Sequence, residues 1–270
     1  MNESVYIHGT TDDEQRRLSL MNDVLLNNAA LREMSLRGDE HIIDFGSGLG
    51  QFTRAMARAV PHGRVVGIER DEKQMSEAMR LAENDNVRVD FRSGDVLNLD
   101  LGKEWGTFDV AHGRFILEHV PDPLRVVKSM VRAVKTGGRI VLADDDHGVM
   151  RLWPEPPGFN DLWRAYTRTY DRIGNDPYVG RRLIELLHRA GAEPRRNAWI
   201  FFGGCSGMEV FDVLTANMAG VIRSAREAIL RMSLFESNAF DRVMREYETW
   251  AQRPDAALWF AVSWAEGTRP

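Results

Sequence analysis

Five short β-rich runs separated by helical patterns constrain the fold of this chain more than any other feature. They are His41-Ile42-Ile43-Asp44-Phe45, Arg64-Val65-Val66-Gly67-Ile68, Val87 to Phe91, Phe108 to Ala111 and Arg139 to Ala143. Residues 52–60, 71–84 and 123–134 fill the gaps as helices, the last closed by Gly137-Gly138. Strands alternating with helices build βαβ units, so the expectation is a mostly parallel sheet with helices on both faces and right-handed crossovers.

The pattern changes past Trp153-Pro154-Glu155-Pro156-Pro157-Gly158. Residues 160–173 place Leu162, Tyr166, Tyr170 and Ile173 on one helical face, and 178–190 form a further helix stopped by Gly191. Trp199 to Phe202 read as a sixth strand, 208–250 as amphipathic helices and Leu258 to Ser263 as the last strand. The expected organisation is one domain over 1–270. Residues 1–37 form an N-terminal helical cap, 38–147 the core, and 148–178 and 206–252 helical lids or insertions.

Charge and composition narrow the function classes. With 35 Lys plus Arg against 40 Asp plus Glu the net charge is −5, which argues against nucleic acid or an anionic membrane as the main partner. Cys205 stands alone, so no intrachain disulfide forms. Met1 to Thr10 lack a basic and apolar leader, and the longest apolar run, Ala256 to Val262, falls far short of the roughly 20 residues that span a bilayer. A soluble protein of the cytoplasm is expected.

Asp44-Phe45-Gly46-Ser47-Gly48-Leu49-Gly50 lies where the first strand gives way to the first crossover helix. Glycines there permit a tight turn and a close approach of backbone N–H groups to a ligand, at the sheet edge where α/β crevices open. The dinucleotide spacing G-x-G-x-x-G fails, because the third residue after Gly48 is Gln51. Glu69 ends the second strand, where a carboxylate can accept both ribose hydroxyls. Gly94-Asp95-Val96 follows the third strand and offers a carboxylate and a backbone N–H to an adenine edge.

This set of glycines and acids at successive strand ends resembles the class I S-adenosylmethionine-dependent methyltransferases, in their small-molecule (ubiquinone and natural-product) branch. Phe108-Asp109-Val110 with Leu117-Glu118-His119-Val120-Pro121-Asp122-Pro123, and Lys135-Thr136-Gly137-Gly138-Arg139-Ile140, are similar to that family's fourth-strand region and its lead-in to strand five. The resemblance implies a Rossmann-like α/β fold with a seven-stranded sheet and an antiparallel last strand. It implies that Asp44, Gly46, Ser47 and Gly48 border the methionine part of S-adenosylmethionine and that Glu69 binds the ribose. Arg70 and Met75 would lie near the adenine, Gly94, Asp95 and Val96 would hold its edge, and the Arg114 backbone would close over the methionine amine. Tyr6, His8 and Arg17 look like the lead segment that caps the cofactor's carboxylate end.

Methyl transfer from a sulfonium needs alignment more than covalent chemistry. Where the acceptor loses a proton, His147 after strand five and His119 after strand four are the candidate bases. Asp144-Asp145-Asp146 invite a metal, but neighbours on a strand point to opposite faces, and His112-Gly113-Arg114 stands where catechol-type members place a ligand acid. No metal is therefore expected. The N-P-P-Y type sequence of members that methylate exocyclic amines is absent at that point. Trp153, Phe159, Trp163, Tyr166, Tyr170 and Tyr178 form either ordinary core or an aromatic lid over the crevice. Arg181, Arg182, Arg189, Arg195 and Arg196, interleaved with Glu185 and Glu193, read as a solvated face. The expected function is methyl transfer to an oxygen, nitrogen or carbon of a small molecule, with a homodimer contact among the roles open to 208–250. An NAD(P)-dependent oxidoreductase, or a scaffold that binds S-adenosylmethionine without transferring its methyl group, are the alternatives.

Overall fold

The computed structural model describes residues 26–270. Helix α1 (Asn27–Met34) leads into β1 (His41–Phe45), α2 (Gln51–Ala59), β2 (Arg64–Glu69), α3 (Glu72–Asn84) and β3 (Asp90–Ser93). Then follow β4 (Phe108–Arg114), a 3₁₀ turn over Leu117–His119, α4 (Pro123–Ala133) and β5 (Val134–Asp145). Local chemistry sets these boundaries. Asp71 caps α3 by accepting from the Lys73 and Gln74 amides, and Asp122 caps α4 ahead of Pro123. The third strand starts later than Val87, because the Val87 amide bonds Ala82 O and closes the end of α3.

Strands run in the order β3-β2-β1-β4-β5, all parallel to their neighbours. The chain turns back between β1 and β4, so the crevice of an α/β sheet opens at the carboxyl ends of these two strands. The closing strand β8 (Ala257–Thr268) lies antiparallel to β5 and also pairs with β7 (Glu193–Cys205). An eighth strand, β6 (Arg151–Trp153), pairs with the start of β8. Seven strands were expected; β6 is three residues long and runs straight into Pro154, leaving no alternation to read.

Three apolar clusters hold the fold. One packs α4, α6 (Leu183–Arg189) and the sheet, and another packs α1 and α2 on the opposite face. The third joins α5 (Phe159–Ile173), α7 (Glu209–Ser224), α8 (Arg226–Arg231) and α9 (Ser237–Ala251) with β6. Residues 208–250 thus divide into three helices, and α7 faces the crevice with Leu214, Asn217, Met218 and Val221.

Candidate active site

The loop after β1 is shaped by three left-handed glycines, Gly46, Gly48 and Gly50, at φ 74°, 53° and 67°. A Cβ at Gly46 would lie 2.7 Å from Ile116 Cδ1, and one at Gly50 2.4 Å from Phe91 Cζ, so larger residues are barred by both backbone and neighbours. The Gly46 and Ser47 amides donate to Ile68 O at 2.9 Å each. The Gly48 amide donates to Glu69 Oε2 at 2.9 Å, while Glu69 Oε1 accepts from the Arg70 and Asp71 amides at 2.8 Å. Glu69 therefore ties the glycine loop to the end of β2. Beneath the loop, Asp44 and His112 are register partners on β1 and β4, with His112 Nδ1 2.7 Å from Asp44 Oδ1. Thr53 Oγ1 of α2 donates to Asp44 Oδ2 at 2.5 Å.

These groups line one end of a cavity of about 570 Å³, a size suited to small ligands. At its other end, buried Glu118 reaches His147 Nε2 through Oε2 at 3.1 Å and lies 3.5 Å from His119 Nε2 through Oε1. Tyr170 also bonds Glu118, and its hydroxyl meets that of Tyr166 at 2.8 Å. The His147 ring packs edge-on to Trp163 and Tyr166, and Trp163 Nε1 donates to His147 O at 2.9 Å. Burial pushes the Glu118 carboxyl up to about 8, holds His119 down at about 3 and lowers His147. Both imidazoles are thus neutral at ordinary pH.

The three consecutive aspartates separate, as strand alternation requires. Asp144 accepts from the Leu117 amide at 2.8 Å, Asp146 clamps Arg181 through two bonds of 2.6 and 2.9 Å, and Asp145 lines the cavity. Asp145 is raised above the carboxylate range, chiefly by burial. Glu118, Asp145 and His147 each offer one atom within 4.8 Å of the others, a mixed oxygen and nitrogen set that could hold a metal ion. It is not the set weighed in the sequence, where attention fell on residues 112–114 and the aspartate run.

Residues 42–138 match the family model described as a methyltransferase domain. These residues carry a methyltransferase domain. The chain is 32% identical over 185 residues to an uncharacterised transposon protein of Streptomyces fradiae, a match covering 67% of this chain and 49% of that one. It is 28% identical over 171 residues to a demethylmenaquinone methyltransferase of Alkalihalophilus pseudofirmus, covering 60% of this chain and 69% of the relative. The chain thus spans about half the length of the first relative and about two thirds of the second. In fold it matches geranyl diphosphate C-methyltransferase from Streptomyces coelicolor, with a TM-score of 0.55 at 13% identity, over 97% of this chain and 85% of that one.

Independently of these likenesses, the cavity offers unpaired polar atoms at both ends, and those at the glycine-loop end suit the polar groups of S-adenosylmethionine. Ser47 Oγ and His112 Nε2 at the glycine-loop end, and Asp145 Oδ1 and His147 Nδ1 at the other, are buried polar atoms with no hydrogen-bond partner among the described residues. Such atoms are costly to leave unpaired, and all four belong to cavity-lining residues. Asp44, Gly46, Ser47, Gly48, Glu69, Arg70, Gly94, Val96, Arg114, His119 and His147 all line this cavity. Met75 and Asp95 are not on its wall. Gln74 and Leu97 stand there instead, and both Asp95 oxygens bond locally, to the Leu97 amide and Asn98 Nδ2. The Arg114 guanidinium lies 4.4 Å over Phe52 and donates to Asn27 Oδ1 at 3.0 Å. Tyr6, His8 and Arg17 lie outside the described residues. The sequence reading gave Glu118 no role of its own and weighed His112 and Asp145 only against a metal; register with Asp44 was a usable signal for His112.

Proposed function

We propose that the protein transfers the methyl group of S-adenosylmethionine to an oxygen, nitrogen or carbon atom of a small, ring-bearing molecule. The observation that carries this reading is the continuity of one cavity from the glycine loop and Glu69 to the Glu118–His147 cluster. When bound, S-adenosylmethionine supplies an activated methyl group for in-line displacement. The chain's own part is alignment and control of a proton. Gly46 to Gly48 and Glu69 fix the cofactor end, with Val96 and Gly94 at the adenine side and Arg114 near the methionine end. Trp163, Tyr166, Tyr170 and α7 exclude water from the other end and present flat apolar surface to an acceptor.

His147, neutral because it is buried, is the general base: as the acceptor atom gains the methyl group, its proton passes to the imidazole beside Glu118. His119, stacked on Tyr170 at 5.9 Å and held neutral, serves to seat Glu118. Around Glu118 the cavity wall is carboxyl, imidazole and aromatic, which favours a neutral acceptor over an anionic one. The demethylmenaquinone methyltransferase relative supports a quinone-like ring. We place this activity in the cytoplasm, on a small molecule rather than nucleic acid. The net charge of −5 supports that reading, and no helix among the described residues is long and apolar enough to cross a membrane.

Calorimetric titration with S-adenosylmethionine and, in parallel, NADPH is the first test. Micromolar binding of S-adenosylmethionine alone is expected. Binding of NADPH alone would replace methyl transfer by hydride transfer. Cofactor binding with no methylation across hydroxylated and amino-substituted rings would leave a scaffold.

A further inference from the structure

The end of the sheet farthest from β3 carries an aromatic face that the methyltransferase site does not use. Residues paired directly across antiparallel strands share a face, and alternate residues along a strand return to it. Phe201 pairs with Ala261, Gly203 with Trp259, Arg151 also with Trp259, and Trp153 with Ala257. Trp199, Phe201, Trp259 and Trp153 therefore project from the same side of β7, β8 and β6. Their relative exposures are 59%, 64%, 39% and 67%, and they make up four of the six large apolar side chains exposed among the described residues. The opposite face behaves differently: Leu152, Leu258 and Ile200 are buried, and Leu258, Phe202 and Phe260 line the cavity. A Cβ at Gly203 would lie 3.1 Å from Trp259 Cδ1, so the indole rests across a position where only glycine leaves room. Concentration of this kind marks a contact surface, whereas scattered apolar residues do not.

We infer that this face is the contact surface between two copies of the chain. At roughly 150–250 Å² per aromatic side chain, the exposed fractions amount to about 500 Å² per copy. A pair would bury about 1,000 Å² from these four residues alone, which reaches the lower bound of specific interfaces before the rim is counted. A two-fold contact sets a patch against itself, and a flat sheet face carrying a row of aromatic residues meets that requirement. The charges around it also suit a second copy. Arg151 stands beside Trp259 on this face, a single charge that does not oppose self-association. With a net charge of −5 and only Arg151 paired beside these aromatic residues, an anionic lipid surface is the poorer match.

Sedimentation velocity on the full chain, from micromolar to submillimolar concentration, tests the inference independently of any activity. Wild-type protein is expected to sediment as a dimer. The Trp199→Glu/Phe201→Glu double variant is expected to sediment as a monomer, with dissociation favoured at least tenfold. Its melting temperature and S-adenosylmethionine affinity should be unchanged. Trp153→Arg, on the exposed three-residue strand, provides the same readout should the double variant fold poorly. A wild-type monomer at every concentration, or dimers that survive both sets of substitutions, would overturn the inference. So would a monomer that pellets with phosphatidylglycerol vesicles and loses that property on substitution.

Discussion

Replacing Glu118 by Gln tests the electrostatics of the acceptor end without needing an acceptor. Glu118 is 3% exposed, and burial raises its carboxyl from 4.5 to about 8. A folded-state value above the unfolded one means that stability is fully present below the unfolded value. It is then lost as pH rises toward the folded value, because the unfolded chain ionises first. Each unit of separation is worth about 1.4 kcal/mol, so the wild-type protein forfeits roughly 4 kcal/mol between pH 5 and 8 through this one group. Glutamine keeps the shape, can still accept from Tyr170 and cannot ionise. The stability difference, variant minus wild type, should therefore grow by about 4 kcal/mol over that range. In a chain of this size that is on the order of 10 °C in Tm. Differential scanning calorimetry of both proteins across the range gives the curves directly. Parallel curves, with a difference constant to within about 1 kcal/mol, would refute the reasoning, since they would mean that Glu118 ionises in the fold as readily as in the unfolded chain.

The remaining predictions concern the two ends of the cavity. Since Glu118 holds its proton up to about 8, the Glu118–His147 pair gains its full basic form above that value; kcat should rise with pH through this region, and a flat initial-rate profile would remove the pair from catalysis. His147→Ala should slow turnover by roughly 100-fold while leaving the calorimetric affinity for S-adenosylmethionine unchanged, and a wild-type rate would leave alignment alone as the mechanism. Glu69→Ala frees three backbone amides and removes the proposed ribose acceptor, so cofactor Kd should rise more than tenfold; unchanged affinity would sink the ribose assignment. Gly46→Ala sets a Cβ 2.7 Å from Ile116 Cδ1 at φ 74°, and should cost about 1–2 kcal/mol of stability, measured by denaturant titration, along with cofactor binding.

The cofactor end was largely legible in the sequence because its determinants are local. Left-handed glycines after a strand and a carboxylate at the end of the next strand are each specified within a few residues, and the parallel register then brings them together. Asp95 shows the limit of that logic: position at a strand end was correctly inferred, but a short polar side chain bonded its own loop, to the Leu97 amide and Asn98 Nδ2, instead of the cavity. The acceptor end was legible only in pieces. His119 and His147 were visible as candidate bases at the right edge, yet Glu118, which both of them contact, stood only as part of the motif over 117–123. Its elevated value arises from burial, only partly offset by the hydrogen bond of Tyr170, which α5 delivers from about fifty residues downstream. The same separation decides the aromatic cluster after strand five. Tyr166, Tyr170 and Trp163 repeat at helical spacing and line the cavity, whereas Trp153, only ten residues before Trp163, faces the other side of the sheet because β6 assigns its side chains by a period of two. A helix and a three-residue strand thus send neighbouring aromatic residues to opposite faces. One set lines the cavity, the other leaves an exposed surface, and only the pairing with β8 distinguishes them.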